Sequence, residues 1–192
     1  MVLETAYFPP VEYFAILAKY SAVYLEACET YQKQSYRNRC YFYGASGKES
    51  LNVPVVHENG TFHLPVKEIK VDYSTDWVEK TERAIRSAYC SSPFFMYYED
   101  ELFRILDSRP LTLWELNRSL MDFFCRKIGI APEFRETEVF TGPSVDIHPK
   151  HPSAFTAKEY YQVFSEKHGF IGNLSVMDLL FNEGPESICY LK

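Results

Sequence analysis

The sequence predicts an α/β fold, with a mixed α+β arrangement as the alternative, in which a strand-rich N-terminal unit is followed by a mostly helical C-terminal half packed on it. Two observations support this fold class. A strand, a helix and a second strand are indicated within residues 2–27, and apolar residues recur at helical spacing after residue 73. With 192 residues, of which 46% are hydrophobic, the chain can bury a large core. Residues 1–192 are therefore expected to form a single domain.

The N-terminal unit is expected to be βαβ-like. Residues 2–7 favour a strand, the pair Pro9 and Pro10 ends it, and Pro10 suits the first turn of the following helix. Residues 21–27 favour a second strand. Because a strand-helix-strand unit favours parallel pairing, polar site residues are expected at the carboxyl ends of these strands.

A hairpin is expected next, from residues 39–43 and 50–56, which are β-prone and flank a glycine-containing turn at residues 44–48. Asn59 and Gly60 indicate a second turn, and residues 61–71 indicate a strand broken by Pro65.

The remainder favours helices, at about residues 76–89, 94–106 and 112–128. Thr112 and Glu115 have the spacing of a capping box, and Gly129 is a typical helix stop. After a strand at residues 133–140 and a loop at residues 142–153, further helices are indicated in two stretches, residues 156–167 and residues 175–182.

The composition excludes several classes of protein. A formal net charge of −6 leaves no global basic surface, so we expect no nucleic-acid partner. Five cysteines without a Cys-x-x-Cys pair favour a reducing cytoplasm without structural zinc. No basic leader and no run of eighteen apolar residues occur, so a cytoplasmic protein without membrane insertion is expected. The oligomeric state is not indicated.

The common signatures of nucleotide-binding proteins, serine hydrolases and metalloproteases are missing from the sequence, and no cofactor is expected. Asp146, His148 and His151 have spacings compatible with a metal site. Since no second cluster of ligands accompanies them, a solvated loop is the favoured interpretation.

Polar side chains are densest between Tyr31 and Tyr43. If the backbone is extended there, Arg37 and Arg39 lie on one face and can clamp a phosphate or carboxylate, while Asn38 points the other way. The alternative, given equal weight, is that one arginine forms an ion pair with Glu26 or Glu29.

Three other polar residues are weaker candidates. Gln34 carries an ordinary amide. His57 follows an apolar run and can act as a base near neutral pH, although a surface histidine is the favoured interpretation. Asp178 stands three residues after Ser175, which a capping box explains without catalysis.

Four stretches carry a family resemblance, namely residues 7–14, 35–39, 51–55 and 174–184, with looser similarity at residues 92–98 and 161–162. In order and spacing they resemble the WbqC-like protein family of bacteria. The resemblance implies an association with surface-polysaccharide (O-antigen) synthesis, and transfer of glycine or another acyl group onto a sugar.

Whether the protein is an enzyme is left open at this stage. The first hypothesis is a cytoplasmic transferase whose small-molecule substrate is an activated sugar, a glycan precursor or an acyl donor. Its ligand-binding residues are then expected to be Tyr13, Gln34, Arg37, Asn38, Arg39 and Asp178. His57 or Glu26 is the expected proton acceptor.

The alternative is a non-catalytic binding or scaffold protein of the envelope-assembly machinery, with a tyrosine-rich contact face. A nucleotide-binding transferase, with residues 7–14 at the nucleotide end, is the third option.

Overall fold

The fold is seen in a computed structural model that describes residues 1–57 and 63–192. The elements in chain order are β1 (Val2–Leu3), α1 (Val11–Leu17), β2 (Ala22–Leu25), β3 (Arg39–Gly44), β4 (Gly47–Asn52), a 3-10 turn (Val66–Glu68), α2 (Trp77–Tyr89), α3 (Phe95–Asp107), α4 (Leu113–Ile128), β5 (Glu133–Glu136), α5 (Ser165–His168), α6 (Val176–Glu183) and a 3-10 helix (Gly184–Tyr190). The mixed α/β class is confirmed. The turn predicted at Asn59 and Gly60 lies outside the described residues.

A parallel sheet of three strands, in the order β1-β2-β5, forms one side of the fold. Val2 pairs with Tyr24, and Ala22 pairs with Glu133. The predicted parallel βαβ unit is confirmed, but β1 is shorter than expected. The chain leaves the sheet after Leu3, and the Tyr7 N–H donates to the Tyr36 carbonyl instead.

The predicted hairpin is confirmed as β3 and β4, which pair from Arg39 opposite Asn52 to Gly44 opposite Gly47. Only Ala45 and Ser46 lie between the last pair, so the second strand starts three residues earlier than predicted. Gly47 has a φ of 102°, a conformation that glycine adopts at little cost in a tight hairpin turn.

The middle of the chain is helical, as predicted. The capping box is present: the Glu115 N–H donates to the Thr112 hydroxyl, and Gly129 ends α4 in the left-handed conformation. Phe124 of α4 joins the two halves, because its ring lies 5.8 Å from that of Phe8 and 6.0 Å from that of Phe14. All three rings are buried, so the sheet unit and the helices share one core.

The C-terminal third differs most from expectation. The chain turns over the end of the sheet after Glu136, so β5 ends four residues before the predicted strand does, and the helix predicted at residues 156–167 is reduced to α5. The side chains of Tyr160 and Gln162 both bond Asp178. Residues two apart share a face in extended chain but not in a helix, so these contacts require the extended backbone. The helix predicted from Ser175 is confirmed as α6.

Across residues 1–57 and 63–192, no helix is both long enough and apolar enough to cross a bilayer.

Candidate functional site

A polar cleft of about 210 Å³ lies beside the start of α1, and its walls come from five separate parts of the chain. Tyr36 and Ile147 line both this cleft and a small hollow formed by residues 3–6, where β1 ends. The cleft is therefore next to the carboxyl end of a parallel strand, which is where a site is expected in such sheets. Its polar lining residues are Glu12, Tyr36, Lys48, Asp146, His148, His151, Ser153 and Asn173.

Two histidines occupy one wall of the cleft. The rings of His148 and His151 lie 4.6 Å apart between centroids and are tilted by 36°. Nδ1 of His151 is 2.5 Å from Oδ2 of Asp146, and both side chains are more than half exposed. The backbone N–H of Lys150 donates to Nδ1 of His148 at 3.2 Å. The wall thus carries two imidazoles whose Nδ1 atoms are already bonded.

Partial burial lowers the pKa of His148 below its ordinary value. The neighbouring His151 and the cations Arg37 and Lys150 lower it further, while Asp146 opposes them. His148 is therefore neutral at pH 7. No group of three or more His, Cys, Asp or Glu side chains placed to hold a metal ion occurs in the described ranges 1–57 and 63–192.

A second part of the lining ties the start of α1 to the C-terminal segment. Glu12 Oε2 accepts from Ser153 Oγ at 2.7 Å and from Asn173 Nδ2 at 2.9 Å. The Glu12 N–H donates to Asn173 Oδ1 at 2.9 Å, and Asn173 has a φ of 54°. These bonds fix a carboxylate and an amide at the cleft surface.

The hairpin contributes a cation and an aromatic ring. Lys48 Nζ lies 4.4 Å from the centroid of the Tyr41 ring, which meets the Tyr36 ring edge-on at 6.2 Å. The cation–π contact holds the ammonium of Lys48 at the rim of the cleft.

Arg37 lies outside the cleft and is buried, with 1% of its side chain exposed. Its Nε donates to Glu29 Oε1 at 2.9 Å, its Nη2 also bonds Glu29 Oε2, and Nη2 lies 2.7 Å from Glu4 Oε1. Burial raises the pKa of Glu29 to about 7, although the Arg37 guanidinium opposes this effect. The structure thus shows the ion pair with Glu29 that the sequence left as an alternative to ligand binding.

Arg39 does not share a strand face with Arg37, because Arg37 lies in the turn before β3. The Nε of Arg39 donates to Asn52 Oδ1 across the hairpin at 2.6 Å. Asn38 Nδ2 donates to the Val53 carbonyl at 3.0 Å. The side chains of Arg37, Asn38 and Arg39 thus bond three different partners and do not converge on one ligand.

Glu26, one of the two predicted proton acceptors, is buried where β2 ends. Its carboxylate accepts from Thr137 Oγ1 and from the backbone N–H groups of Cys28, Thr141 and Gly142, at 2.7–3.0 Å. Burial raises its pKa, but the four donors outweigh burial and the net pKa is lowered. Glu26 thereby anchors the loop that follows β5. The other predicted acceptor, His57, is exposed and does not line the cleft.

Tyr13 and Gln34 are nearer to the cleft. The Tyr13 hydroxyl donates to the Glu4 carbonyl at 2.7 Å and lines the small hollow. Gln34 Oε1 accepts from Lys150 Nζ at 2.7 Å, beside the histidine wall. None of the eight residues predicted from sequence lines the cleft itself.

Asp178 is fully buried on α6 and forms a network of its own. Oδ1 accepts from the Tyr89 hydroxyl at 2.9 Å, and Oδ2 accepts from the Tyr160 hydroxyl and Gln162 Nε2, both at 2.7 Å. Burial raises its pKa to about 6, and the three donors limit the rise. The capping-box interpretation of Asp178 is wrong, because the carboxylate faces this network and not the backbone N–H of Ser175, which bonds the Tyr41 carbonyl.

The sequence did not identify the cleft residues as a site, and for Asp146, His148 and His151 it favoured a solvated loop over a metal site. The signal that could have pointed to the cleft was the spacing of an acid and two histidines around Pro149 and Pro152. Glu12, Lys48 and Asn173 carry no local signal, since only the fold brings them together.

The WbqC-like protein family matches residues 5–148, a range that includes β2, β5, helices α1 to α4 and His148, while β1 and His151 lie outside it. Rv1507c, an uncharacterised protein of Mycobacterium tuberculosis, is 26% identical over 227 aligned residues, which cover 100% of this chain and 96% of that protein. No solved structure matches the chain. Since the family match spans well over half of the residues, the chain belongs to the WbqC-like protein family.

Proposed function

We propose that the protein is a cytoplasmic transferase that moves an acyl group, such as glycyl, onto a hydroxyl or amino group of an activated sugar or glycan precursor. The observation that carries the proposal is the Asp146–His151 pair in the polar cleft, with 2.5 Å between Oδ2 and Nδ1. A carboxylate at this position holds the proton on Nδ1, so that Nε2 is free to accept a proton from a nucleophile.

The rest of the lining fits a ligand rich in hydroxyl groups. The Glu12 carboxylate accepts hydrogen bonds, the Asn173 amide both donates and accepts, and the Lys48 ammonium donates. Lys48 also supplies a positive charge suited to a phosphate of an activated sugar. A ligand that combines hydroxyls with an anionic group therefore suits these lining groups.

In the proposed reaction, Nε2 of His151 takes the proton from the attacking hydroxyl or amine. At the same time, the oxygen or nitrogen of that nucleophile bonds the acyl carbon. The bond from that carbon to the leaving group then breaks, and the protonated imidazole returns its proton to the leaving group. Asp146 stabilises the imidazolium between the two steps.

The setting in surface-polysaccharide synthesis rests on the family resemblance. The cytoplasmic assignment is supported by the five cysteines, which are all free.

The test is a transfer assay with the purified chain, a panel of sugar nucleotides and glycyl or acetyl thioesters, in which mass spectrometry detects the acylated sugar. We expect acylation by the wild type and its loss in His151→Gln. The control is His168→Gln, because His168 is exposed and lines no part of the cleft. Full transfer by His151→Gln would overturn the proposal, as would the absence of both transfer and a sugar-nucleotide thermal shift.

Binding is tested separately with Lys48→Ala. Its matched control is Lys67→Ala, because Lys67 is half exposed and paired with Glu136 away from the cleft. Only Lys48→Ala should weaken the binding of sugar nucleotides in calorimetry. Equal affinities in the two variants would contradict the place of Lys48 in the site.

The scaffold alternative is favoured by one observation. Met96 and Tyr97, at the start of α3, are 72% and 70% exposed, and such an apolar surface is typical of protein contacts. A partner that co-purifies with the wild type but not with Met96→Ser and Tyr97→Ser, together with no response to sugar nucleotides or acyl donors, would favour this alternative.

A further inference from the structure

His148 and His151 are the first and last residues of one β-turn. The His151 N–H donates to the His148 carbonyl at 3.1 Å, which closes the four-residue turn. Pro149 occupies the second position, where its restricted φ favours this geometry. The turn therefore places the two imidazoles side by side in the cleft.

The same turn fixes the hydrogen-bonding state of His148. Its Nδ1 accepts the backbone N–H of Lys150 at 3.2 Å, so Nδ1 carries no hydrogen. In the neutral ring the proton then lies on Nε2. That atom has no hydrogen-bond partner within residues 1–57 and 63–192.

His151 is held in the opposite state. Its Nδ1 faces the Asp146 carboxylate, an acceptor, and must carry the proton, which leaves the lone pair on Nε2. The cleft therefore presents a proton acceptor on one ring and a hydrogen-bond donor on the next, with 4.6 Å between the ring centroids.

We infer that His148 is a second catalytic residue, whose Nε2–H donates a hydrogen bond to the carbonyl oxygen of the acyl donor and stabilises the oxyanion formed there. The inference rests on the proposed function and adds a role to the same site. As the nucleophile loses its proton to His151 and bonds the acyl carbon, the carbonyl electron pair moves onto the oxygen. His148 donates to that oxygen without transferring its proton. When the C=O bond re-forms, the bond to the leaving group breaks.

The charge state of His148 agrees with this role. Burial and the neighbouring His151, Arg37 and Lys150 lower its pKa against the effect of Asp146, so the ring is neutral at pH 7. Protonation on Nδ1 would also break the bond from Lys150. A neutral imidazole that donates to a substrate carbonyl is an established catalytic device, used where a helix or neighbouring charges keep the ring neutral.

The first test needs no substrate. Long-range ¹H–¹⁵N NMR spectra of the full chain with labelled histidine, recorded at pH 8 and assigned with His148→Gln and His151→Gln, should show the Nε2–H tautomer for His148 and the Nδ1–H tautomer for His151. The same tautomer in both rings would overturn the inference whether or not the protein proves to be a transferase.

The second test follows acyl transfer or hydrolysis with a glycyl thioester. His148→Leu should lower kcat by about 100-fold or more, the usual effect of losing one oxyanion donor. His148→Gln retains an N–H donor and should keep most of the rate, as should the control His168→Leu. Equal rates in His148→Leu and an active wild type would overturn the donor role alone. A wild type that neither transfers nor hydrolyses the acyl group would overturn the proposed function and the catalytic role of His148 with it, whichever tautomers the spectra show.

Discussion

Oδ2 of Asp146 lies 2.5 Å from Nδ1 of His151, on the loop that follows the parallel sheet. Both groups are exposed, so this pair contributes less than about 1 kcal/mol to the free energy of unfolding. Its contribution is to the tautomer and orientation of His151, because the bond keeps the proton on Nδ1 and leaves the lone pair on Nε2.

Asp146→Asn tests that role. The amide can present its N–H₂ to Nδ1, which favours the inactive tautomer, so kcat for acyl transfer should fall about 100-fold or more. The melting temperature should remain within a few degrees of the wild-type value. A variant with the wild-type kcat would show that the carboxylate does not orient the base.

Arg37→Ala is predicted to act on stability. The substitution leaves Glu29 buried without its guanidinium, so the free energy of unfolding should fall by about 3–5 kcal/mol. Arg39→Ala is the matched control. The Arg39 side chain is half-buried at the hairpin, so its removal should lower the free energy of unfolding by less than about 1 kcal/mol. Urea unfolding measures both. Unchanged stability in Arg37→Ala, accompanied by loss of ligand binding, would instead favour a ligand-binding Arg37.

Asp178 should make stability depend on pH. Its pKa is raised to about 6 in the folded chain, so the folded state holds the proton at pH values where the unfolded state has lost it. The stabilisation that this proton gives the folded state is fully present below about pH 4 and is lost as the pH rises through about 6. Integrated over this window the loss is at most about 3 kcal/mol.

Asp178→Asn removes this titration and also two acceptor interactions of the network, so the variant should be less stable than the wild type at low pH by about 1–3 kcal/mol. The deficit should shrink between pH 4 and pH 7, as measured by urea unfolding at several pH values. A deficit that grows with pH would mean that the pKa of Asp178 is lowered in the folded state.

Asn173 supports the cleft through its side chain and its backbone. Asn173→Ala loses both bonds to Glu12 and places alanine at a φ of 54°, where left-handed backbone costs about 1–2 kcal/mol. Asn173→Gly also loses the two bonds, but glycine adopts a φ of 54° without this cost. Asn173→Gly should therefore unfold at a higher urea concentration than Asn173→Ala. Both should weaken the binding of sugar nucleotides. Greater stability of the alanine variant would contradict this account.

The elements that sequence predicts well are those specified by local chemistry. Thr112 and Glu115 satisfy each other's backbone groups within one helical turn, and the hairpin is encoded by a glycine-containing turn between β-prone runs. The burial of Arg37 is different, because its partner Glu4 comes from another part of the chain. The spacing of Arg37 and Arg39 showed two cations but not which of them the fold would enclose.

The cleft was harder to predict for the same reason. Glu12 and Asn173 are 161 positions apart and meet only because α1 and the segment before α6 are neighbours in the fold. Residues 156–167 show another limit, since their helical spacing was overridden by the bonds of Tyr160 and Gln162 to buried Asp178. Tertiary hydrogen bonds there outweigh local helix propensity.

The location of the ligand site is tested most directly by titrating the ¹⁵N-labelled protein with a uridine diphosphate sugar and following the backbone amide and histidine ring shifts. We expect the largest changes at Lys48, His148, His151 and Asn173, and we expect them to disappear in Lys48→Ala. Changes centred on Arg37, Asn38 and Arg39, with the two histidine rings unaffected, would contradict a ligand site in the cleft.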